Sequence, residues 1–213
     1  IYEERRTTPE EAVRRIRAGD TVNIPIFPPR SVLNALWSRR EELRDVRLQM
    51  NSITHDPGWL KPGSEEAFSI DFEIFIGDFA RPAHDEKRGA YLPNMFSRSF
   101  KARDERRPGG RLPNVALVVC SRPNEAGYVH FGPHHWTKRS LVRRSELVIA
   151  EVDPTLMPVH GDVWLHVSEF DCFIETEPAE IGPAEIQELL EKVKPEHRAA
   201  MAALVPRIPR ERL

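Results

Sequence analysis

The residues best equipped for chemistry in this chain gather in its second half. His130, His134, His135, His160 and His166 fall there, interleaved with Glu125, Glu151, Asp162 and Glu169. Imidazoles and carboxylates at that density suggest a metal site, since Zn2+ takes three or four such ligands. Spacing argues against it. His160 and His166, on an extended segment, lie roughly 20 Å apart at about 3.3 Å per residue, too far to share one ion. His84-Asp85-Glu86 has the His-x-Glu spacing of zinc deaminases, yet no Pro-Cys-x-x-Cys follows to supply thiolates. The expectation is no metal, and a histidine-based metal hydrolase stands as the last of three readings.

The acids divide by context. Glu151 follows the apolar run Val148-Ile149-Ala150, which puts it at the carboxyl end of a buried strand, where an α/β sheet presents functional groups. It is either a functional acid or a structural one pinning the neighbouring loop, because a buried carboxylate must find donors. Glu125, just before Gly127, is either a site acid or the acceptor that ties a turn together. Glu169 is expected to face solvent. His160-Gly161-Asp162 follows Pro158, giving a stiff loop with close backbone approach at the glycine; its imidazole either meets a ligand or is satisfied by local backbone. Lys138 and Arg139, beside Trp136 and Thr137, are either phosphate ligands or the solvated side of a surface helix.

Other chemistries lack their sequence marks. No two glycines are separated by one residue, and no Gly-Lys-Ser/Thr ends a phosphate loop, so dinucleotide and P-loop sites are excluded. No Gly-x-Ser-x-Gly elbow supports a serine triad. The 31 Lys+Arg balance 33 Asp+Glu for a net charge of -2, which disfavours a nucleic-acid binder; Arg103–Arg107 and Arg139–Arg144 are charge-rich but diluted or helical. The apolar run Val115–Cys120 is far short of the roughly 20 residues that cross a bilayer. Cys120 and Cys172 sit in apolar segments and read as buried small hydrophobes, consistent with a reducing, cytoplasmic setting.

The elements that must position these groups follow from the pattern. At 213 residues the chain can bury one sizeable core. Thr8, Pro9 and Glu11 open a helix that Gly19 stops. Thr21–Phe27 reads as a strand cut short by Pro25, Pro28 and Pro29, and Val32, Leu33, Leu36 and Trp37 recur at helical spacing. Further strands are expected over 46–53, 71–79, 115–120 and 146–152, with a brief hairpin arm at Tyr128, His130 and Phe131. The stretch 81–113 reads as a loop-rich excursion with one short helix near 95–102. Strands alternating with helices give an α/β fold, a mostly parallel sheet flanked by helices, with its site on loops. Pro178 and Gly182 mark a shift, so 1–177 is expected as the α/β domain and 178–213 as a helical extension and linker, with helices over 185–194 and 197–204.

Five blocks are more specific. Val115 to Tyr128, Trp136-Thr137-Lys138, Val148 to Asp153, Met157 to Asp162 and Leu165 to Asp171 resemble, in order and spacing, the N-terminal half of the acetyl-CoA hydrolase and CoA-transferase family, which includes the 4-hydroxybutyrate CoA-transferases. Ala12 to Val22 is similar to that family's opening helix, Gly-Asp turn and first strand. The resemblance implies a NagB/RpiA/CoA-transferase-like fold of two similar α/β halves with the active site between them.

The resemblance also implies thioester exchange. A glutamate attacks an acyl-CoA, passes through a glutamyl-CoA intermediate and hands CoA to a small carboxylate, or to water for net hydrolysis. Coenzyme A enters as acyl-CoA substrate. In the family the nucleophilic glutamate lies in the C-terminal half, in a block this sequence lacks, so the catalytic residue is unassigned here, and the expectation is that the C-terminal domain is supplied in cis or in trans. The implied substrate contacts are His160, Gly161, Glu151 and Glu125, and the implied CoA contacts Lys138 and Arg139. Where the family has a glycine-containing loop after its first strand, this chain has Ile24 to Arg30 with three prolines, which block close approach and remove N–H donors. That departure keeps a second reading, a noncatalytic binding or assembly module of the same fold. An apolar face built to meet a second half also favours homo-oligomers.

Overall fold

In a computed structural model the described residues are 1–177, apart from 53, 79, 99 and 106–112, together with 191, 193, 195, 197 and 199. The helices expected over 185–194 and 197–204 therefore lie outside the described residues, those isolated positions aside. The chain divides into two compact units, Ile1–Glu177 and Pro178–Leu213.

The first unit starts with α1 (Pro9–Val13), where Thr8 Oγ1 accepts the Glu11 N–H at 3.2 Å, satisfying one of the donors a helix start leaves open. Then come β1 (Thr21–Ile24), α2 (Arg30–Ser38), β2 (Val46–Met50), β3 (Phe68–Glu73), α3 (Arg81–Asp85), β4 (Ala90–Leu92) and α4 (Lys101–Asp104). The second run is β5 (Val115–Cys120), β6 (Tyr128–His130), α5 (Lys138–Val142), β7 (Leu147–Val152), β8 (Trp164–His166) and β9 (Cys172–Glu175).

Seven strands form one sheet in the order β4-β3-β2-β1-β5-β7-β9, every pair parallel. The chain walks outward from β1 to β4, returns to lay β5 against the free side of β1, with Val22 opposite Val115, and walks outward again. The β1/β5 junction is thus the switch point beyond whose strand ends α/β sheets hold ligands.

Side-chain alternation assigns the faces. Val22, Ile24, Leu48, Ile70, Leu117 and Ile149 pack with Val13, Val32, Leu33 and Leu36 from α1 and α2. The opposite face is split. Over β5, β7 and β9 it is apolar, with Ala116, Val118, Cys120, Val148, Ala150 and Phe173 under Leu141, Val142 and Phe170. Over β1 to β3 it buries Asn23, Gln49, Asn51, Asp71 and Glu73.

Three expectations shift. The third strand runs 68–73 rather than 71–79, because Ile74 takes φ +75° and turns the chain. The excursion 81–113 opens with α3 and contains the edge strand β4, and in place of the single helix expected near 95–102 it has a 3-10 turn at Phe96–Arg98 followed by α4. The expected hairpin arm is instead a long-range antiparallel pair, with Tyr128 opposite His166 and His130 opposite Trp164.

Candidate functional site

At the carboxyl end of β1 the chain enters Pro25 to Pro29, and Phe27 takes φ +57°. Its ring, 43% exposed, stacks on His134 with centroids 3.7 Å apart. His134 belongs to the 3-10 turn Gly132–His134 that follows β6, so loops from both sides of the switch point meet there. The prolines withhold N–H donors from this loop, and the loop presents an aromatic face in their place.

Behind the stack lies the start of α2. Glu151, on β7, turns its Oε2 to the Ser31 backbone N–H at 2.8 Å and also accepts from Ser31 Oγ. A carboxylate at a helix N-terminus satisfies an open donor and sits at the positive end of the macrodipole. The place an anion would take on α2 is therefore filled by the chain's own acid. Close by, His55 Nε2 donates to Asn34 Oδ1 at 2.8 Å; burial first, and then the Arg30 charge, lowers the His55 pKa. Neither His55 nor Asn34 was picked out by the sequence, because their pairing joins α2 to the loop after β2 and has no local signature.

On the β5 side, Ser121 Oγ accepts the His130 N–H at 3.0 Å, and His130 Nδ1 accepts the Gly132 N–H at 3.1 Å. The ring proton consequently resides on Nε2, and burial lowers the His130 pKa. Helix α5 then brings Lys138, Leu141 and Val142 inward at i, i+3 and i+4. Lys138 is not on a solvated helix side, the alternative its sequence context offered. It is 2% exposed, and its amine makes no hydrogen bond or ion pair with any described residue. Burial pulls its pKa from 10.5 down to about 8, with Cys120 acting weakly in the other direction.

Arg139 points the other way and forms an ion pair with Asp162, so it draws the His160–Asp162 loop to α5. His160 and Gly161 on that loop are exposed, with Gly161 at φ +119°. Glu125 is exposed, and it is not the residue that ties its turn. Asn124 does so, with Oδ1 accepting the N–H groups of Ala126 at 3.1 Å and Tyr128 at 2.9 Å. Glu169, expected in solvent, is half-buried against Arg143 at 2.8 Å. Among the described residues no group of three His, Cys, Asp or Glu is placed to hold a metal ion.

The structure thus brings Glu151, Ser31, Phe27, His134 and Lys138 to the strand ends around the switch point, joins Arg139 to the His160 loop, and leaves Glu125 on an outer turn. A cavity of about 760 Å3 lies elsewhere, lined by Arg47, Asp71, His84 and Arg88 near the β3–β4 edge. Of its cations, Arg47 pairs with Asp71 at 3.4 Å and Arg88 with Glu86 at 2.7 Å, and the cavity lies at the sheet edge rather than at the β1/β5 switch point.

The sequence model for the acetyl-CoA hydrolase/transferase N-terminal domain matches residues 1–184. The 4-hydroxybutyrate coenzyme A transferase of Clostridium kluyveri is 27% identical over 195 residues, spanning 87% of this chain and 44% of that protein. The succinyl-CoA:cyclohexane-1-carboxylate CoA transferase of Geobacter metallireducens is 25% identical over 82% of this chain and 39% of its own length. Among solved structures, RipA from Yersinia pestis superposes with a TM-score of 0.73 at 23% identity, over 83% of this chain and 43% of that one. The chain accordingly spans less than half the length of these relatives. With the parallel sheet and the match over residues 1–184, this chain belongs to the acetyl-CoA hydrolase/transferase family and carries its N-terminal domain.

Proposed function

We propose that this chain forms the N-terminal half of an acyl-CoA:carboxylate CoA-transferase or acetyl-CoA hydrolase, one wall of a cleft that a C-terminal half completes in cis or in trans. The observation that carries this reading is the family match over residues 1–184 in a chain spanning 39–44% of its curated relatives. In this mechanism a glutamate of the C-terminal half attacks the thioester carbonyl, the C–S bond breaks, and CoA leaves as thiolate. The thiolate then attacks the glutamyl carbonyl of the mixed anhydride, releasing the first carboxylate and leaving glutamyl-CoA. A second carboxylate attacks the glutamyl thioester and expels CoA thiolate, which then attacks the acyl carbonyl of the new anhydride to give the product acyl-CoA and free glutamate; water instead cleaves the glutamyl thioester directly to glutamate and CoA.

The parts assigned to this chain are binding and positioning. The exposed His160–Gly161 loop, held through Asp162 by Arg139, faces substrate, and Arg139 is the chain's cation for the CoA phosphates. Glu151 keeps α2 in place under the Phe27 loop, while Glu125, on its outer turn, makes the weakest case for substrate contact. Phe27 at 43%, Trp136 at 45% and Met157 at 64% exposure lie on loops beyond β1, β6 and β7, and large apolar side chains exposed on these loops support a covered face.

The test is to incubate the complete protein with acetyl-CoA, trap the acyl-enzyme with hydroxylamine and map the adduct by mass spectrometry. A hydroxamate on a glutamate of the C-terminal half is expected. An adduct on Glu125, Glu151 or Glu169, or none at all, overturns the reading.

A further inference from the structure

We propose that the cavity at the β3–β4 edge binds the phosphate group of a phosphorylated small molecule, with Lys87 as its anchoring cation. The cavity lies toward the amino ends of β2 and β3, so the assignment does not depend on the thioester-exchange reading above. β4 pairs only with Asp71–Glu73, and the cavity is lined by Phe68, Ser69 and Ile70, the part of β3 that β4 leaves uncovered. Arg47 of β2 and Ser69 of β3, opposite one another in register, belong to this lining. The turn between α3 and β4 adds Lys87 to it. Gly89 seats that turn against β3, because a Cβ there would lie 2.4 Å from the Phe72 ring.

Lys87 takes φ +60°, a conformation that glycine adopts freely and lysine does not, and strained residues of this kind gather at functional sites. Its side chain is exposed and makes no hydrogen bond or ion pair with any described residue. The acids of the lining are each held by the chain itself: Asp71 by Arg47 at 3.4 Å, Asp85 by His84 at 3.2 Å, and Glu65 by the Gly63 N–H at 2.7 Å. Arg88 is taken by Glu86 and by the Leu60 carbonyl. Donors remain on Lys87, on the exposed Ser69 hydroxyl, and on the half-buried Arg47 guanidinium, which among the described residues meets Asp71 alone. Three donor groups lining one cavity suit the three terminal oxygens of a phosphate ester better than the two of a carboxylate. At about 760 Å3 the cavity has the size of a pocket for an organic molecule, with room for the body that carries the phosphate.

The test is equilibrium dialysis of labelled inorganic phosphate against the complete protein and its Lys87→Gly variant, in which glycine removes the cation and relieves the φ +60° backbone. Binding to the parent is expected to saturate. Lys87→Gly is expected to bind about tenfold more weakly or worse, the loss of one charge-assisted contact, while its unfolding midpoint without phosphate stays at or above the parent's. Ser69→Ala, on the strand side, is expected to weaken binding about threefold. AMP is expected to displace phosphate, and acetate at the same concentration is not. Equal phosphate binding by the parent and Lys87→Gly, or none by the parent, overturns the assignment, as does displacement by acetate as strong as by AMP. Phosphate binding that AMP leaves untouched overturns the phosphorylated molecule and makes the free ion the ligand.

Discussion

Replacing Glu151 by Ala tests whether this strand-end acid holds the scaffold. In the native chain its Oε2 receives the Ser31 backbone N–H at 2.8 Å and the Ser31 hydroxyl, at the start of the nine-residue helix α2. Losing a side-chain cap costs about 1 kcal/mol, and losing a negative charge from a helix start about 0.3–1 kcal/mol. Losing the Ser31 hydroxyl contact adds about 1 kcal/mol, and half-burial lets water recover part of the whole, so about 2 kcal/mol is the expected total. In a domain of this size 1 kcal/mol moves the midpoint by about 2–4 °C, so Glu151→Ala is expected to unfold about 4–8 °C below the parent by circular dichroism. Glu151→Gln keeps an acceptor oxygen and is expected to lose about half as much. Ser31→Ala combined with Glu151→Ala is expected to cost less than the sum of the two, because they share one contact. A Glu151→Ala midpoint within about 1 °C of the parent refutes the reasoning and frees Glu151 for chemistry.

Other expectations follow from the same geometry. Folding lowers the Lys138 pKa from 10.5 to about 8, so between those values the unfolded chain binds more protons at this site and stability rises with pH. Below the folded value both states are protonated and the penalty is complete. Urea titrations are expected to show the parent gaining about 3 kcal/mol on Lys138→Met across that window, and a flat difference contradicts the buried amine. Gly127, at φ +78° with a would-be Cβ 2.8 Å from His166 Nε2, is expected to lose about 1–3 kcal/mol on mutation to Ala, read as a lower unfolding midpoint; an unchanged midpoint contradicts the turn assignment. Cys120 and Cys172 are buried, and burial raises both thiol pKa values. A thiol reagent is expected to leave both untouched in the native chain and to label both in urea; fast native labelling contradicts their burial.

The strands on either side of the switch point were legible because parallel strands buried on both faces appear as continuous apolar runs. Val115–Cys120 is found as expected, and Leu147–Val152 begins one residue late. The polar half of the second face was not legible. Asn23, Gln49, Asp71 and Glu73 alternate with apolar residues as if facing solvent, and only the tertiary fold buries them. β4 escaped because three residues at a sheet edge, two of them exposed, carry no pattern.

The site was legible in part. Glu151 was placed at a strand's carboxyl end from its apolar run alone, but its partner Ser31, 120 positions away, was beyond local pattern. For Lys138 the signal was present in the spacing of Leu141 and Val142 and was outweighed by the neighbouring arginines. Asn124, one residue before Glu125, does the work expected of the acid because its amide side chain closes turns of this kind by accepting from N–H groups two and four residues on.

The central claim is that this chain supplies one wall of a thioester-exchange cleft and that the attacking acid comes from a second half. It is tested most directly by following transfer of CoA from acetyl-CoA to a labelled carboxylate with the 213-residue chain alone, and then after adding a separately produced C-terminal half of the same protein. Exchange is expected only in the mixture. Sustained exchange by the 213-residue chain on its own contradicts the claim.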